Sequence, residues 1–151
     1  MAHPKPRKWT PKFPHKYAGD VTNIIARSSW EVKFFNWCDN NPAVVKYASE
    51  EIIIPYICPT DSRQHRYFVD ALIKVKNNLG QEKTYLVEIK PYAQTIAPVR
   101  GKKKSKTFLN ESLVWMKNDA KWKAARIWCA QRGIEFIILT EREIYNTPIN
   151  K

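Results

Sequence analysis

The sequence has no apolar run that approaches the roughly 20 residues of a membrane-spanning helix. Basic residues near the N-terminus are followed by no apolar segment, so we expect no secretory signal peptide. Acidic residues are scarce, because 14 Asp and Glu stand against 26 Lys and Arg, and the formal net charge is +12. Such an excess does not define a fold, but it predicts a polyanionic partner, most often nucleic acid.

Cysteine is also sparse, and the spacing of the cysteines argues against a disulfide-stabilised protein and against a zinc-binding one. The chain contains Cys38, Cys58 and Cys129, with no CxxC pair. An odd, widely spaced set argues against a disulfide framework. The three histidines form no metal-spaced pair with one another or with the cysteines, so we expect no zinc site. We interpret the cysteines as free thiols in a reducing cytosol.

The positive charge is concentrated in two segments of a chain whose 151 residues allow one domain. Residues 1–19 and 98–106 each carry five basic and no acidic residues, whereas the other 123 residues carry 16 basic and 14 acidic ones. Residues 1–19 also hold four of the ten prolines, which predicts an extended arm, disordered or ordered only on a partner, before a domain over 20–151. Both segments are candidate phosphate contacts. Their basic residues are Lys5, Arg7, Lys8, Lys12, Lys16, Arg100, Lys102, Lys103, Lys104 and Lys106.

Apolar periodicity predicts an α/β fold. Two segments of period-two alternation flank the turn sequence 77–81 (NNLGQ), which predicts a β-hairpin. A helix between the third strand and the last allows a parallel crossover, so the central sheet should be mixed and flanked by helices. The predicted order is α-β-β-β-α-β. It begins with a helix over 23–39 capped by Thr22, one or two strands over 44–54 and a loop over 55–63. Strands over 65–76 and 83–90 follow, then a helix from 107 or 110 to 132 that could break near Asn118, and a strand over 134–139 buried on both faces.

The predicted hairpin places two carboxylates opposite each other. If the turn is centred near Leu79, partners have numbers that sum to 158, and apolar residues pair throughout. The same register places Asp70 opposite Glu88, with Lys90 on the same face. Like charges directly opposite destabilise a sheet, so this pair needs a cause. Proton sharing, neutralisation by Lys90 or Lys74, and a divalent cation held between the carboxylates are all compatible with the pattern.

These residues resemble a known family. Asp70 followed by Glu88-Ile89-Lys90 on the next strand, within an α-β-β-β-α-β order, is similar to the PD-(D/E)xK nuclease superfamily with its restriction-endonuclease-like core. Stretches 27–31 (RSSWE), 118–125 (NDAKWKAA) and 136–141 (FIILTE) are similar to TnsA-type transposon end-cleaving nucleases and to nucleases of T-even-type phage head completion. The resemblance covers about residues 20–142. Val69 stands where the superfamily name has proline.

The resemblance implies a role for each matched residue. Asp70, Glu88 and the carbonyl of Ile89 would be metal ligands, and Glu31 would complete or tune the metal site. Lys90 would hold the attacking water and help to deprotonate it. The catalytic set is then Glu31, Asp70, Glu88 and Lys90, with Mg²⁺ or Mn²⁺ as cofactor. From pattern alone, Glu31 could instead pair with Arg27 one turn earlier.

The resemblance also implies a biochemical function, and two other functions remain as alternatives to it. It implies a metal-dependent DNA endonuclease of a phage particle, which processes packaged DNA ends during head completion, with Lys121 directed to the site or to phosphate. Lys121 and Lys117 could instead form a solvated helix face. The implied partners are double-stranded DNA and phage portal or capsid proteins, without a membrane, in the virion and host cytoplasm. A structural head-completion plug without catalysis and a stand-alone transposon nuclease remain alternatives.

Overall fold

A computed structural model describes residues 6–146, which form a mixed α/β fold. The central sheet has four strands in the order β3-β6-β7-β8, and two short ribbons, β1-β2 and β4-β5, accompany it. The elements along the chain are β1 (Arg7–Lys8), β2 (Ile25–Ala26), α1 (Ser29–Asn40), β3 (Val44–Ser49), β4 (Ile53–Ile57), β5 (Gln64–Phe68), β6 (Ala71–Lys76), β7 (Glu82–Ile89), α2 (Ser105–Ala130), β8 (Glu135–Leu139) and α3 (Glu141–Asn146).

The central sheet confirms the predicted fold class. Strands β3, β6 and β7 are antiparallel, and β8 pairs with β7 in parallel after the α2 crossover. The register of the β6-β7 hairpin is the predicted one, with Ala71 opposite Val87 and Ile73 opposite Tyr85. This register buries Val87 and Leu86 completely on opposite faces of β7. The hydrophobic pattern therefore fixes the register, because a one-residue slip would move each of these side chains to the other face.

The predicted strand over 65–76 is wrong, because two strands in different sheets occupy it. β5 ends at Phe68 and pairs with β4, whereas β6 begins at Ala71 and pairs with β3 and β7. The loop predicted from Pro55 onward is also wrong, since Pro55 lies inside β4. Proline is tolerated there because β4 is an edge strand of a two-stranded ribbon. Two residues, Val69 and Asp70, connect the ribbon to the central sheet.

The first helix begins later than the sequence predicts. Ser28, not Thr22, is the N-cap, and its Oγ accepts a hydrogen bond from the backbone N–H of Glu31. Thr22 instead donates its hydroxyl to Asp20, within a turn that precedes β2. The apolar residues Ile24 and Ala26 point into the core from an extended segment. Their burial, rather than a helical conformation, explains the apolar pattern that predicted a helix from residue 23.

The expectation of a free N-terminal arm is wrong for residues 6–19. β1 pairs with β2, and the Trp9 ring packs 5.7 Å from Phe35 and 6.0 Å from Tyr47, measured between centroids. Lys16 is buried, and its Nζ donates to the carbonyl oxygens of Cys38, Asp39 and Asn41 at 2.7–2.9 Å. This ammonium group therefore caps the C-terminal end of α1, where unpaired carbonyls accumulate.

Two apolar clusters lie on opposite faces of the central sheet. One is covered by α1, α3 and the N-terminal segment, and the other lies between the sheet, the β4-β5 ribbon and α2. α2 runs unbroken through Asn118, and only its second half packs on the ribbon. β8 is half-buried rather than enclosed on both faces as predicted. Within residues 6–146, no helix is long and apolar enough to cross a bilayer.

We predict that the buried carboxylate of Asp39 anchors the N-terminal segment. It accepts hydrogen bonds from the backbone N–H groups of Lys12 and Phe13 and from the Tyr47 hydroxyl. Asp39→Ala would leave these donors unpaired, so we expect a loss of roughly 3–5 kcal/mol in the free energy of unfolding, measured by urea denaturation. The control Asp119→Ala removes an exposed helix carboxylate and should cost less than about 0.5 kcal/mol. Equal losses would contradict the anchor.

Candidate active site

The break between β5 and β6 positions Asp70. The chain leaves the ribbon at Phe68 and enters the central sheet at Ala71, so Asp70 lies where the two sheets meet. Its Oδ2 accepts a hydrogen bond of 2.8 Å from the backbone N–H of Ile89 on β7. Among residues 6–146, its other oxygen, Oδ1, accepts no hydrogen bond. The Asp70 side chain is thus fixed on one side and available on the other.

Glu88 lies on β7 beside Asp70, and two side chains contact its carboxylate. Its side chain is 7% exposed. Glu88 Oε2 accepts a hydrogen bond from the hydroxyl of Tyr67, which reaches across from β5. Glu88 Oε1 lies 3.6 Å from Nζ of Lys90. The predicted convergence of Asp70, Glu88 and Lys90 on one place is therefore present in the structure, with Tyr67 in addition.

The two carboxylates are not fully neutralised by these neighbours. Burial raises the pKa of Asp70 well above its ordinary value, and the negative charge of Glu88 raises it further. Burial also raises the pKa of Glu88, although Lys90, Tyr67 and Lys121 oppose this rise. Two neighbouring carboxyl groups, one buried and one partly buried, that both have raised pKa values are typical of functional positions.

Glu31 approaches the pair from the first turn of α1. It is buried, its carboxylate accepts a hydrogen bond from the backbone N–H of Arg27, and its own N–H bonds to Ser28. This arrangement resembles a capping box. The guanidinium of Arg27 binds Glu50 instead, at 2.9 Å, so the alternative of an exposed Arg27–Glu31 pair is wrong. Burial raises the pKa of Glu31, and its charge contributes to the raised pKa of Asp70.

Lys121 is a second cation at this site. Its Nζ lies 5.6 Å from the ring centroid of Tyr67 and 6.0 Å from that of Tyr56. Burial lowers the pKa of Lys121, and the positive charge of Lys90 lowers it further, while Glu88 opposes both effects. Lys121 is half-buried among these groups, so the alternative of a fully solvated helix face does not describe it.

The donors of this site fit a divalent cation. Asp70 and Glu88 offer hard oxygen atoms, and burial is the main cause of the raised pKa of both carboxyl groups. Asp70 Oδ1 has no competing donor among the described residues. Mg²⁺ and similar ions are commonly held by one or two carboxylates together with substrate phosphate. The predicted contributions of Glu31 and of the Ile89 carbonyl as ligands stay predictions.

A family model described as "TnsA-like endonuclease N terminal" matches residues 41–141. The chain belongs to the TnsA-like endonuclease family. The head completion nuclease of Enterobacteria phage T4 is 44% identical over 138 residues, which cover 89% of this chain and 89% of the phage T4 protein. As a member of this family, the protein is a DNA endonuclease. The matched TnsA-like range contains Asp70, Glu88, Lys90 and Lys121, while Glu31 precedes it.

The predicted DNA-binding residues of this TnsA-like endonuclease, apart from Lys121, fall into four groups. Arg7, Lys8 and Lys12 are exposed on the N-terminal segment, whereas Lys16 is committed to the carbonyls of α1 and does not reach the surface. Lys5 lies outside the described residues. The segment 98–106 is exposed before and at the start of α2, although Lys103 pairs with Glu111 at 2.6 Å. Its basic residues are Arg100, Lys102, Lys103, Lys104 and Lys106.

One cluster contradicts the spacing argument against metal ligands. Cys58, Asp61 and His65, at the turn between β4 and β5, place one ligand atom each within 4.8 Å of one another. The internal bonds of the turn account for this approach, because His65 Nε2 contacts Asp61 at 2.7 Å and Cys58 Sγ contacts Thr60 at 3.1 Å. Cys38, Cys58 and Cys129 are free and buried, as predicted for reduced thiols.

Two residues of the site were not predicted from the sequence. Tyr67 lies three positions before Asp70, and its contact with Glu88 depends on the break between the two sheets. Glu50 occupies the turn after β3 with a left-handed backbone (φ 54°), and its N–H lies 3.3 Å from the Asp70 carbonyl oxygen. Glu50 also accepts the guanidinium of Arg27, and both contacts depend on the folded chain rather than on a local sequence pattern.

We predict that the buried negative charge lowers stability. Because the pKa of Asp70 is raised in the folded state, its unfavourable contribution is absent below the unfolded-state pKa and grows as pH rises through the folded-state pKa. In EDTA at pH 8, Asp70→Asn should raise the melting temperature by at least about 2 °C, and this gain should shrink toward pH 4.

The matched control is Glu135→Gln, which neutralises an exposed carboxylate that contacts Lys83. This control should shift the melting temperature by less than about 2 °C at either pH. A destabilised Asp70→Asn protein at pH 8 would show that the Asp70 carboxylate is compensated.

Proposed function

We propose that this TnsA-like endonuclease hydrolyses DNA phosphodiester bonds with Mg²⁺ or Mn²⁺ held by Asp70 and Glu88. The observation that carries the proposal is the convergence of these two carboxylates with Lys90 at the junction of the two sheets. When bound there, a divalent cation supplies charge neutralisation and polarisation of the scissile phosphate. Glu31 is the third acidic group of the site.

Lys90 and Lys121 supply positive charge for the reaction. In hydrolysis a water oxygen forms a bond to phosphorus and gives up a proton to the solvent. The bond from phosphorus to the 3′-oxygen breaks, and the leaving oxygen takes a proton. The ammonium group of Lys90, 3.6 Å from Glu88, stabilises the negative charge that develops on the phosphate oxygens. Lys121, with its lowered pKa, is a candidate donor of the proton to the leaving oxygen.

Tyr67 positions Glu88 for this chemistry. Its hydroxyl donates to one carboxylate oxygen, Oε2, and leaves Oε1 directed toward Lys90. Such a contact fixes the rotamer of a ligand side chain without touching the substrate. The pKa of Tyr67 is raised by burial and by the charge of Glu88, so the phenol stays protonated and remains a hydrogen-bond donor.

The phage context comes from the relative. The phage T4 protein is named a head completion nuclease, and the two chains match over 89% of each. We therefore assign the present chain to the same stage, with packaged double-stranded DNA as its substrate and portal or capsid proteins as its partners, in the virion and the host cytoplasm. The presence of Glu31, Asp70, Glu88 and Lys90 in one site favours the enzyme over a structural plug without catalysis.

A cleavage assay tests the catalytic assignment. Wild-type protein should cut plasmid DNA with Mg²⁺ or Mn²⁺ and leave it intact in EDTA, and Glu88→Ala should reduce cutting to background. Lys90→Ala should lower the rate about 100- to 1,000-fold, because one stabilising charge is lost. The control Glu82→Ala removes an exposed carboxylate of the same strand and should retain activity. Cutting by Glu88→Ala at the wild-type rate would overturn the proposal.

The role of Tyr67 has a separate test. Tyr67→Phe removes only the hydroxyl that binds Glu88, so we expect a fall of about 10-fold in the cleavage rate. Its metal dependence should also change, with half-maximal activity at a higher Mg²⁺ concentration. Tyr56→Phe is the matched control, since Tyr56 faces the same helix from β4. Equal effects of the two substitutions would contradict a specific role for Tyr67.

Salt dependence tests the basic segment before α2. Replacing Arg100, Lys102, Lys104 and Lys106 together by alanine should flatten the plot of log binding constant against log salt concentration. The slope should fall by about 0.9 for each lost phosphate contact in duplex DNA. Lys74→Ala, Lys83→Ala and Lys123→Ala remove lysines that pair with surface acids and should change the slope less. An unchanged slope in the quadruple variant would assign this segment to a protein partner.

A further inference from the structure

A cleft of about 620 Å³ lies between α2 and the segment that follows Lys90. One wall is formed by residues 93–99, which connect the catalytic strand β7 to the basic segment. The other wall is the first half of α2, including Val114, Trp115 and Asn118. The lining is predominantly apolar with a few polar groups, which is the usual composition of a small-ligand site.

Asn118 is an unusual residue in this wall. It is 5% exposed, lies inside a long helix, and its side chain forms no hydrogen bond with any of residues 6–146. Trp122 Nε1, not the Asn118 amide, is the fully buried side-chain atom that lacks a hydrogen-bond partner among residues 6–146, so the amide atoms of Asn118 still reach the space of the cleft. An amide that lines a cleft without a protein partner can pair with a ligand. Asparagine is also a weak helix former. A ligand in the cleft that pairs with this amide accounts for both features.

The cleft lies next to the catalytic groups. Asn118 precedes Lys121 by three residues, so the two side chains lie on neighbouring positions of one helix face. Lys121 is close enough to Lys90 and Glu88 for their charges to affect its pKa. The opposite wall of the cleft begins three residues after Lys90. A nucleotide adjacent to the scissile phosphate is therefore within reach of the cleft.

We propose that this cleft binds the base of an unpaired nucleotide next to the scissile phosphate. Trp115 lines the wall half-buried, with its ring 6.2 Å from that of Trp122 in an edge-to-face contact. A base in the cleft would stack on the Trp115 ring, while the Asn118 amide would pair with the edge of that base. A base inside an intact duplex is covered by its neighbours and cannot enter. The inference rests on the proposed endonuclease function and specifies that the packaged DNA carries an unpaired nucleotide where it is cut.

The test compares binding to two DNA molecules of equal length in EDTA, where no cleavage occurs. One is an uninterrupted duplex, and the other carries a short single-stranded flap with 2-aminopurine at the first unpaired position. Wild-type protein should bind the flap DNA about 5- to 100-fold more tightly, the range expected for one stacked base. The probe fluorescence should fall on binding because 2-aminopurine stacks on Trp115.

Asn118→Leu is the informative variant. Leucine has nearly the same volume and no polar group, so the protein should be at least as thermally stable as wild type. It should bind duplex DNA normally and lose most of its preference for the flap. Trp115→Leu should leave the probe fluorescence unquenched. Asn36→Leu makes the same chemical change at an exposed position of α1 and should keep the full preference.

The outcomes separate this inference from the proposed function. Equal binding of both DNA molecules by wild-type protein, or a preference that survives in Asn118→Leu, overturns the base site and assigns the cleft to a ligand other than a nucleobase. Either result leaves metal-dependent cleavage and its loss in Glu88→Ala intact. A normal flap preference in a protein that cuts no DNA with Mg²⁺ or Mn²⁺ would overturn the endonuclease instead.

Discussion

The structure is organised around two carboxylates that repel each other in a place shielded from water. Asp70 and Glu88 each have a raised pKa, and the folded chain must compensate for holding them together. It does so with a backbone N–H for Asp70, and with Tyr67 and Lys90 for Glu88. These donors hold the oxygen atoms in place, while Asp70 Oδ1 accepts no hydrogen bond from the described residues. The rest of the fold supplies the stability that burying this pair removes.

Local patterns in the sequence predicted the hairpin and the site, because both depend on period-two alternation about one turn. That alternation determines which residues pair between β6 and β7. The pairing ends at Ala71 opposite Val87, so the next residues, Asp70 and Glu88, come close together where it ends. The metal role and the part of Glu31 came from a resemblance to known nucleases, since the hairpin pattern is equally compatible with a lysine-neutralised pair. The family match supports the resemblance over residues 41–141.

Features that depend on tertiary contacts could not be predicted. The split of the second strand at Val69 and Asp70 is invisible in a continuous alternating pattern, and Tyr67 reaches Glu88 only because of that split. Likewise, a basic proline-rich segment predicts a free arm, but Trp9 and Lys16 bind it to the body through partners more than 20 residues away. Lys16 illustrates the general difficulty, because a count of charges cannot distinguish a lysine that meets phosphate from one that caps a helix.

The length of α2 sets the distance between the exposed basic segment and Lys121. The helix starts at Ser105, beside that segment, and Lys121 lies 16 residues further along it. At a rise of about 1.5 Å per residue, these two points are about 24 Å apart. Duplex DNA advances about 3.4 Å per base pair, so a straight duplex that touched both points would span about seven base pairs. The number of turns in this one helix therefore decides how far a phosphate held at the basic segment would lie from Lys121.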